Sequence, residues 1–171
     1  MKLKSIELEN FRSWSQSNIS LGSRLTLFIG ENGSGKTAVL DAIAIGLGEI
    51  LTRLPGVAGV TFRKHGEIRQ VGNQLLPYTR VGLTNDNEIT WDRIKRRDQS
   101  ERVTRSIGNR VGVKAIRDAI DHTILEPWGA NQPFNLPVFA YYGVSRAMLD
   151  IPLRRTGFPK EFSRFDALKN S

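Results

Sequence analysis

Eight consecutive residues, Gly30-Glu31-Asn32-Gly33-Ser34-Gly35-Lys36-Thr37, satisfy the pattern G-x-x-x-x-G-K-[ST] at every fixed position. The chemistry of that spacing is phosphate binding. A loop whose main-chain N–H groups converge on one point needs dihedral angles that side-chained residues seldom adopt, and Gly30, Gly33 and Gly35 supply them. A helix beginning at about Gly35 presents free N–H groups and a partial positive charge to the same point. Lys36 adds a full charge for the β- and γ-phosphates, and the Thr37 hydroxyl is placed to complete the octahedral shell of a Mg²⁺ ion. The competing reading is a glycine-rich surface turn, which requires neither a strand before the loop nor a helix after it.

Both flanks are there to be read. Arg24 to Ile29 (RLTLFI) is a short apolar run suited to a buried strand, and Thr37 to Leu54 has a helical period through Val39, Ile43, Leu47, Ile50, Leu51 and Leu54, stopped by Pro55-Gly56. Upstream, Lys2 to Glu9 alternates as a strand, and Ser17 to Leu21, Gly22-Ser23 and Arg24 to Ile29 read as a hairpin feeding the loop. Residues 56–69 read as a loop of undefined shape in which His65 is a surface imidazole. Arg80 to Thr84 and Glu88 to Ile94 form a second hairpin around Asn85-Asp86-Asn87, with Trp91 packed on its apolar side. Val113, Ile116, Ala119, Ile120 and Ile124 stripe a surface helix ended by Glu126-Pro127. Leu136 to Tyr142 (LPVFAYY) has the continuous apolar character of a central parallel strand. The C-terminal end of such a strand faces a ligand crevice, which makes Tyr141, Tyr142 and Arg146 candidate site residues, against the plainer reading of core aromatics and a surface arginine.

The expected fold is therefore α/β, a P-loop NTPase with a mixed sheet and antiparallel hairpins. It divides into 1–55 (three strands, loop and helix), 56–112 (hairpin and basic segment), 113–146 (helix and central strand) and a tail over 147–171. At 171 residues, 39% hydrophobic and 25% charged, the chain suits one globular domain. There is no apolar run of about 18 residues and no signal-peptide core at the N-terminus. The absence of cysteine excludes disulfides and thiolate metal sites, and a cytoplasmic location is the default. The net charge of +8 is concentrated: Arg93 to Arg117 holds nine Lys/Arg against Asp98 and Glu101. Such a block either tracks a nucleic-acid backbone or forms a solvated face, and its contact candidates are Arg93, Lys95, Arg96, Arg97, Arg102 and Arg105. The stretch up to Arg110 has few apolar residues and reads as flexible or ordered by a ligand.

Met1 to about Leu54 resembles the N-terminal lobe of ABC-type ATPases of the RecF, SMC and SbcC kind, through IELENFRSW at 6–14, GENGSGKT at 30–37 and LDAI at 40–43. LPVFAYYGVSR at 136–146 looks like a segment of ATPases from bacterial anti-phage systems, PtuA-like proteins of Septu loci and retrons. The resemblance implies ATP as the nucleotide, places Arg12 beside its phosphates, and makes Gly30, Asn32, Gly33, Ser34, Gly35, Lys36 and Thr37 the binding loop. It also implies DNA or RNA as a partner, and either a homodimer formed by sandwiching ATP or an associated nuclease. Three family elements are missing from the sequence: a hydrophobic run ending in Asp-Glu, an L-S-x-G signature, and a Gln directly after Tyr142. The cradle is thus expected without the carboxylate that orients water, as in the N-terminal part of a longer ATPase. If this chain turns ATP over alone, Asp150, Glu161 and Asp166 are the carboxylates to examine. The alternative function is a non-hydrolysing nucleic-acid-binding or regulatory module acting through 93–117. A small-molecule kinase is disfavoured because no lid or acceptor-binding Asp is evident near the loop.

Overall fold

The computed structural model describes residues 1–108, 110–143 and Phe165. Its frame is a four-stranded sheet of β1 (Leu3–Phe11), β2 (Trp14–Ser20), β3 (Tyr78–Asn85) and β4 (Thr90–Arg96), in the order β2-β1-β3-β4 and antiparallel throughout. The helix α1 (Lys36–Arg53) lies on one face. Register explains which face. Ile6 stands opposite Ile19 and Leu83, Leu8 opposite Val81, and Leu83 opposite Trp91, so alternation puts one apolar set towards α1. Ile6, Leu8, Val81, Leu83 and Trp91 are all at or below 1% exposure and meet Ala38, Val39, Ala42 and Ile45 of the helix. The opposite face is ionic: Arg80 reaches Glu7 (3.0 Å), Glu9 (3.7 Å) and Asp92 (2.8 Å).

Helix α1 comes unusually close to its neighbours. A Cβ on Gly46 would lie 2.4 Å from Leu83, and one on Gly48 would lie 2.0 Å from the Val60 carbonyl oxygen. That contact draws in the 57–69 loop, and β4 fastens it. Trp91 Nε1 donates to Gly46 O (3.0 Å), while Arg93 Nη1 donates to Ile45 O (2.6 Å) and Val60 O (2.8 Å). The loop expected to have no defined shape is thereby fixed. Its end pairs with β1 through a bridge between Phe11 and Ile68, and His65 is exposed as anticipated. A two-residue-per-strand hairpin over 70–75, turning at Gly72, follows it.

Several expectations need correction. Arg24 to Ile29 forms no strand: Leu25, Leu27 and Ile29 are 81%, 73% and 86% exposed. Nor does Leu136 to Tyr142, where Val138 is 83% exposed. Apolar residues on alternate sides suit a strand covered on both faces, and among the described residues neither segment has a neighbouring strand to pair with. The two segments instead line one groove with Leu40, Ile43 and Leu47 of α1. The first hairpin is therefore β1–β2, closed at Phe11 and Trp14, and not the one expected across Gly22-Ser23. The basic segment is not shapeless either. Ser100 caps α2 (Glu101–Ser106) by accepting from Val103 N (3.3 Å), and Val103 and Ile107 are buried. The later helix, α3 (Lys114–Ile120), buries Ile116, Ile120 and Ile124 and runs past Glu126-Pro127 to Gly129. It does so through a π-helical turn over Asp121–Leu125, which closes with Glu126 N on Asp121 O before the proline, whose missing N–H is then tolerated. Arg146 lies outside the described residues, as do Asp150, Glu161 and Asp166.

Overpacking at the α1–loop contact should be costly. Gly48→Ala is expected to destabilise the chain by about 1–3 kcal/mol in urea unfolding. Gly108→Ala, with no atom within 4 Å of the added carbon, should stay within about 0.5 kcal/mol.

Candidate nucleotide site

The loop at 30–37 connects an irregular segment to α1. Gly33 and Gly35 have φ of +84° and +94°, values only glycine adopts readily, and Ser34 N closes a turn on Glu31 O (3.2 Å). Gly35 is the N-cap of α1, no side chain caps it, and no acidic residue occupies the first turn, so the N-terminal amides of an 18-residue helix are open to an anion. A side chain at Gly35 is excluded a second way. Its Cβ would lie 2.7 Å from Trp14 Nε1, and that indole N–H donates to Gly35 O (3.4 Å). Lys36 folds its ammonium back across the loop onto Gly30 O (2.7 Å) and Glu31 O (2.6 Å), with Ser34 Oγ at 3.4 Å. Arg12, Ser13, Asn32, Gly33, Gly35, Lys36, Thr37 and Ala38 together line a cavity of about 320 Å³. Of the eight residues anticipated from the sequence, six meet around this one space; Gly30 and Ser34 adjoin it through Lys36.

Arg12 reaches the cavity from the β1–β2 turn, where its own φ is +50°. Its guanidinium is held by two carboxylates to which sequence reasoning assigned no role. Nη1 meets Asp41 Oδ2 at 2.6 Å, while Nε and Nη2 donate to Glu67 at 3.3 and 3.1 Å. Burial pulls the Arg12 pKa down, but hydrogen bonds to Glu67 and Asp41, with their negative charges, outweigh it and leave it raised. Arg63, largely exposed, sits at 3.6 Å from Asp41 and 3.9 Å from Glu67. The Tyr141 hydroxyl donates to Asp41, tying the 136–143 segment to α1. Asp41 belongs to the quoted L-D-A-I segment, and an acid set among the apolar residues of the first turns of α1 was its available signal. Glu67 had none: it sits in an irregular loop between His65-Gly66 and Ile68.

The basic block is divided by the structure. Arg93 is committed to Ile45 O, Val60 O and Glu49 (3.6 Å), and burial lowers its pKa. Lys95 donates to Arg63 O and to Lys64 O (2.9 Å). Both share the helix-facing side of β4 with Trp91, a period-two pattern visible in the sequence. Arg96 turns to Thr104 (3.1 Å) and Gln99 (3.4 Å), and Arg97 to Leu75 O and Asp98 (both 2.9 Å). Arg105 pairs with Glu101 one turn away, and Arg102 is exposed with no polar partner among the described residues.

A family model described as AAA domain matches residues 5–171. The chain belongs to the AAA-domain family. Curated relatives of this AAA domain match over shorter stretches. Structural maintenance of chromosomes protein 6 of Saccharomyces cerevisiae is 50% identical over 46 residues, 27% of this chain and 4% of that protein. The DNA replication and repair protein RecF of Lactococcus lactis is 46% identical over 43 residues, 25% and 12%. The DNA double-strand break repair Rad50 ATPase of Pyrococcus abyssi is 39% identical over 67 residues, 39% and 8%. The matched stretch thus spans at most 12% of these relatives' length. A solved structure from work on ATP-driven dimerization and DNA stimulated activation of SMC ATPases aligns over 75% of this chain and 96% of its own, at 17% identity and a TM-score of 0.32. The resemblance to a RecF/SMC-type N-terminal lobe is upheld by the family match and by the RecF and Rad50 relatives.

The Tyr141–Asp41 contact has a titration signature. Burial, then the hydrogen bond to Asp41, pushes the Tyr141 phenol up to about 12. A raised tyrosine pKa favours the folded state at pH below the unfolded value near 10, and that contribution is lost as pH rises through about 12. Spectrophotometric titration at 295 nm should show Asp41→Asn bringing one late-ionising phenol down towards its ordinary range. An unchanged curve would show that Asp41 does not hold Tyr141.

Proposed function

We propose that this chain is a Mg·ATP-binding lobe of an ABC-type, SMC/RecF-like ATPase that acts on DNA, in repair or in anti-phage defence. The observation that carries the reading is the Lys36 ammonium drawn onto Gly30 O and Glu31 O, opposite Arg12, across a cavity at the uncapped start of α1. The residues fit a nucleoside triphosphate. Gly33 and Gly35 leave the backbone free of side chains where phosphates approach, Lys36 could exchange its carbonyl contacts for phosphate oxygens, and Arg12, which lines the same cavity, supplies a second cation. Thr37 lines the same cavity and is the residue that would hold Mg²⁺ together with those oxygens. Among the described residues no group of three or more His, Cys, Asp or Glu could hold a metal by itself. Bound Mg²⁺ would supply charge neutralisation at the phosphates.

Hydrolysis needs a carboxylate that orients water. Asp41 and Glu67 are unsuited to it, since their side chains are 8% and 1% exposed and both are engaged by Arg12. We therefore assign turnover to the site once further residues, from the same protein or from a second copy closing over ATP, complete it. An associated nuclease is the alternative partner. The action on DNA follows the RecF and Rad50 relatives, whose names state DNA repair, and the anti-phage setting and the cytoplasmic location follow the sequence alone. No helix among the described residues is long and apolar enough to cross a membrane. A second reading, a nucleic-acid-binding regulator working through 93–117, is favoured by the exposed Arg97, Arg102 and Arg105 and weakened by the internal commitment of Arg93 and Lys95.

Calorimetric titration with ATP and Mg²⁺ tests the leading reading. Lys36→Ala should weaken binding by at least about tenfold, the loss of one charge-assisted contact, and leave unfolding without nucleotide within about 0.5 kcal/mol. Phosphate release by the chain alone should stay at background. Binding that survives Lys36→Ala contradicts the reading. Salt-dependent DNA binding abolished by neutralising Arg97, Arg102 and Arg105, with no effect of ATP, would favour the regulator instead.

A further inference from the structure

The nucleotide reading leaves two buried carboxylates unexplained, because neither Asp41 nor Glu67 lines the cavity beside the loop. Their partner does. Glu67 grips Arg12 at both ends: its carbonyl accepts from Arg12 N (2.9 Å), and its carboxylate accepts from Nε and Nη2. The next turn of chain completes the bracket, with Arg69 N donating to Asn10 O (2.8 Å). A non-glycine residue stays at φ +50° only where its surroundings over-determine it, and here two main-chain bonds and a bidentate ion pair do so. Asp41, one turn beyond Thr37 on α1, fixes the remaining nitrogen and so couples Arg12 to the helix that begins at the phosphate loop.

A guanidinium has five N–H groups. Two are donated to Glu67, from Nε and Nη2, and Nη1 pairs with Asp41, which leaves the second N–H of Nη2 and at least one of Nη1 as the free edge of a side chain that lines the loop's cavity. We infer that Glu67, assisted by Asp41, is the positioning residue that aims this free edge of Arg12 at the phosphates of a nucleoside triphosphate bound at Gly30–Thr37. The inference rests on the nucleotide reading of that loop and goes beyond it by assigning a role to a residue of the 57–69 loop. An arginine held in advance loses little freedom when it meets its ligand, whereas an unheld one must be ordered at the expense of affinity. Arg63, exposed and farther from both carboxylates, is not needed for the effect.

The test is a double-mutant cycle on the whole chain, read as ATP affinity in Mg²⁺ by calorimetry. Glu67→Gln should weaken ATP binding by roughly tenfold, the scale typical of residues that orient a ligand-contacting group. In an Arg12→Ala background the same change should cost less than about twofold, since nothing is left to aim. Equal losses in both backgrounds would show that Glu67 serves only packing, and unchanged affinity in Glu67→Gln would remove the role altogether. Should Glu67→Gln fail to fold by circular dichroism, Glu67→Asp, which keeps the charge but withdraws it by one methylene, enters the same cycle with the same criteria. Lys36→Ala separates the two levels of the claim. ATP binding that depends on Lys36 but is indifferent to Glu67 overturns the positioning role alone, whereas absent or Lys36-independent binding overturns the nucleotide reading and the positioning role with it.

Discussion

Withdrawing a carboxylate from water is costly unless a cation and hydrogen bonds replace the solvent, and this chain withdraws two at one place. Asp41 and Glu67 come from segments 26 residues apart, and neither can be buried until Arg12 arrives from the β1–β2 turn to neutralise them. That constraint joins the sheet, the helix and the 57–69 loop. Removing one partner of such a buried pair costs about 3–5 kcal/mol, against about 0–1 kcal/mol for exposed pairs such as Lys4–Glu88. The surface pairs on α2 and β1 are therefore incidental to the architecture, whereas the Arg12 cluster defines it.

The same logic recurs further along α1. Glu49, also buried, receives Arg117 from α3 (2.6 Å) and Arg93 from β4 (3.6 Å). The helix thus carries two acids, each answered by arginines from other elements, at either end of a glycine pair that lets β3 and the loop approach its backbone. Arginine suits these places because its planar fork meets a carboxylate bidentately and stays charged when partly buried. The excess positive charge between Arg93 and Arg117 is then two populations. Arg93, Lys95 and Arg117 hold the fold together, and Arg97, Arg102 and Arg105 face solvent.

What the sequence made legible was whatever has a local cause. The loop at 30–37 is visible because glycine, lysine and threonine are needed at fixed offsets, and α1 and the β3–β4 hairpin because their apolar periods are clean. Two strands were misplaced for a physical reason. RLTLFI and LPVFAYY carry the apolar pattern of strands covered on both sides, but pattern does not report whether a neighbour is there to pair with, and in the described structure they stay irregular and partly open to solvent. Glu67 was invisible because its meaning comes from Arg12, 55 residues away. Arg93 and Lys95 were read as part of a charge block when their alternation with Trp91 could have placed them on the helix-facing side of β4.

The glycine loop and the clamped arginine together form the proposed phosphate site. The most direct measurement is a nitrogen-15 correlation spectrum of the chain titrated with ATP and Mg²⁺, following the amides of Gly33, Gly35 and Lys36 together with the Arg12 Nε–H. Saturable shifts of all four with a single dissociation constant are expected. Shifts confined to 93–117, or a loop that responds while the Arg12 side chain does not, would contradict the proposed site.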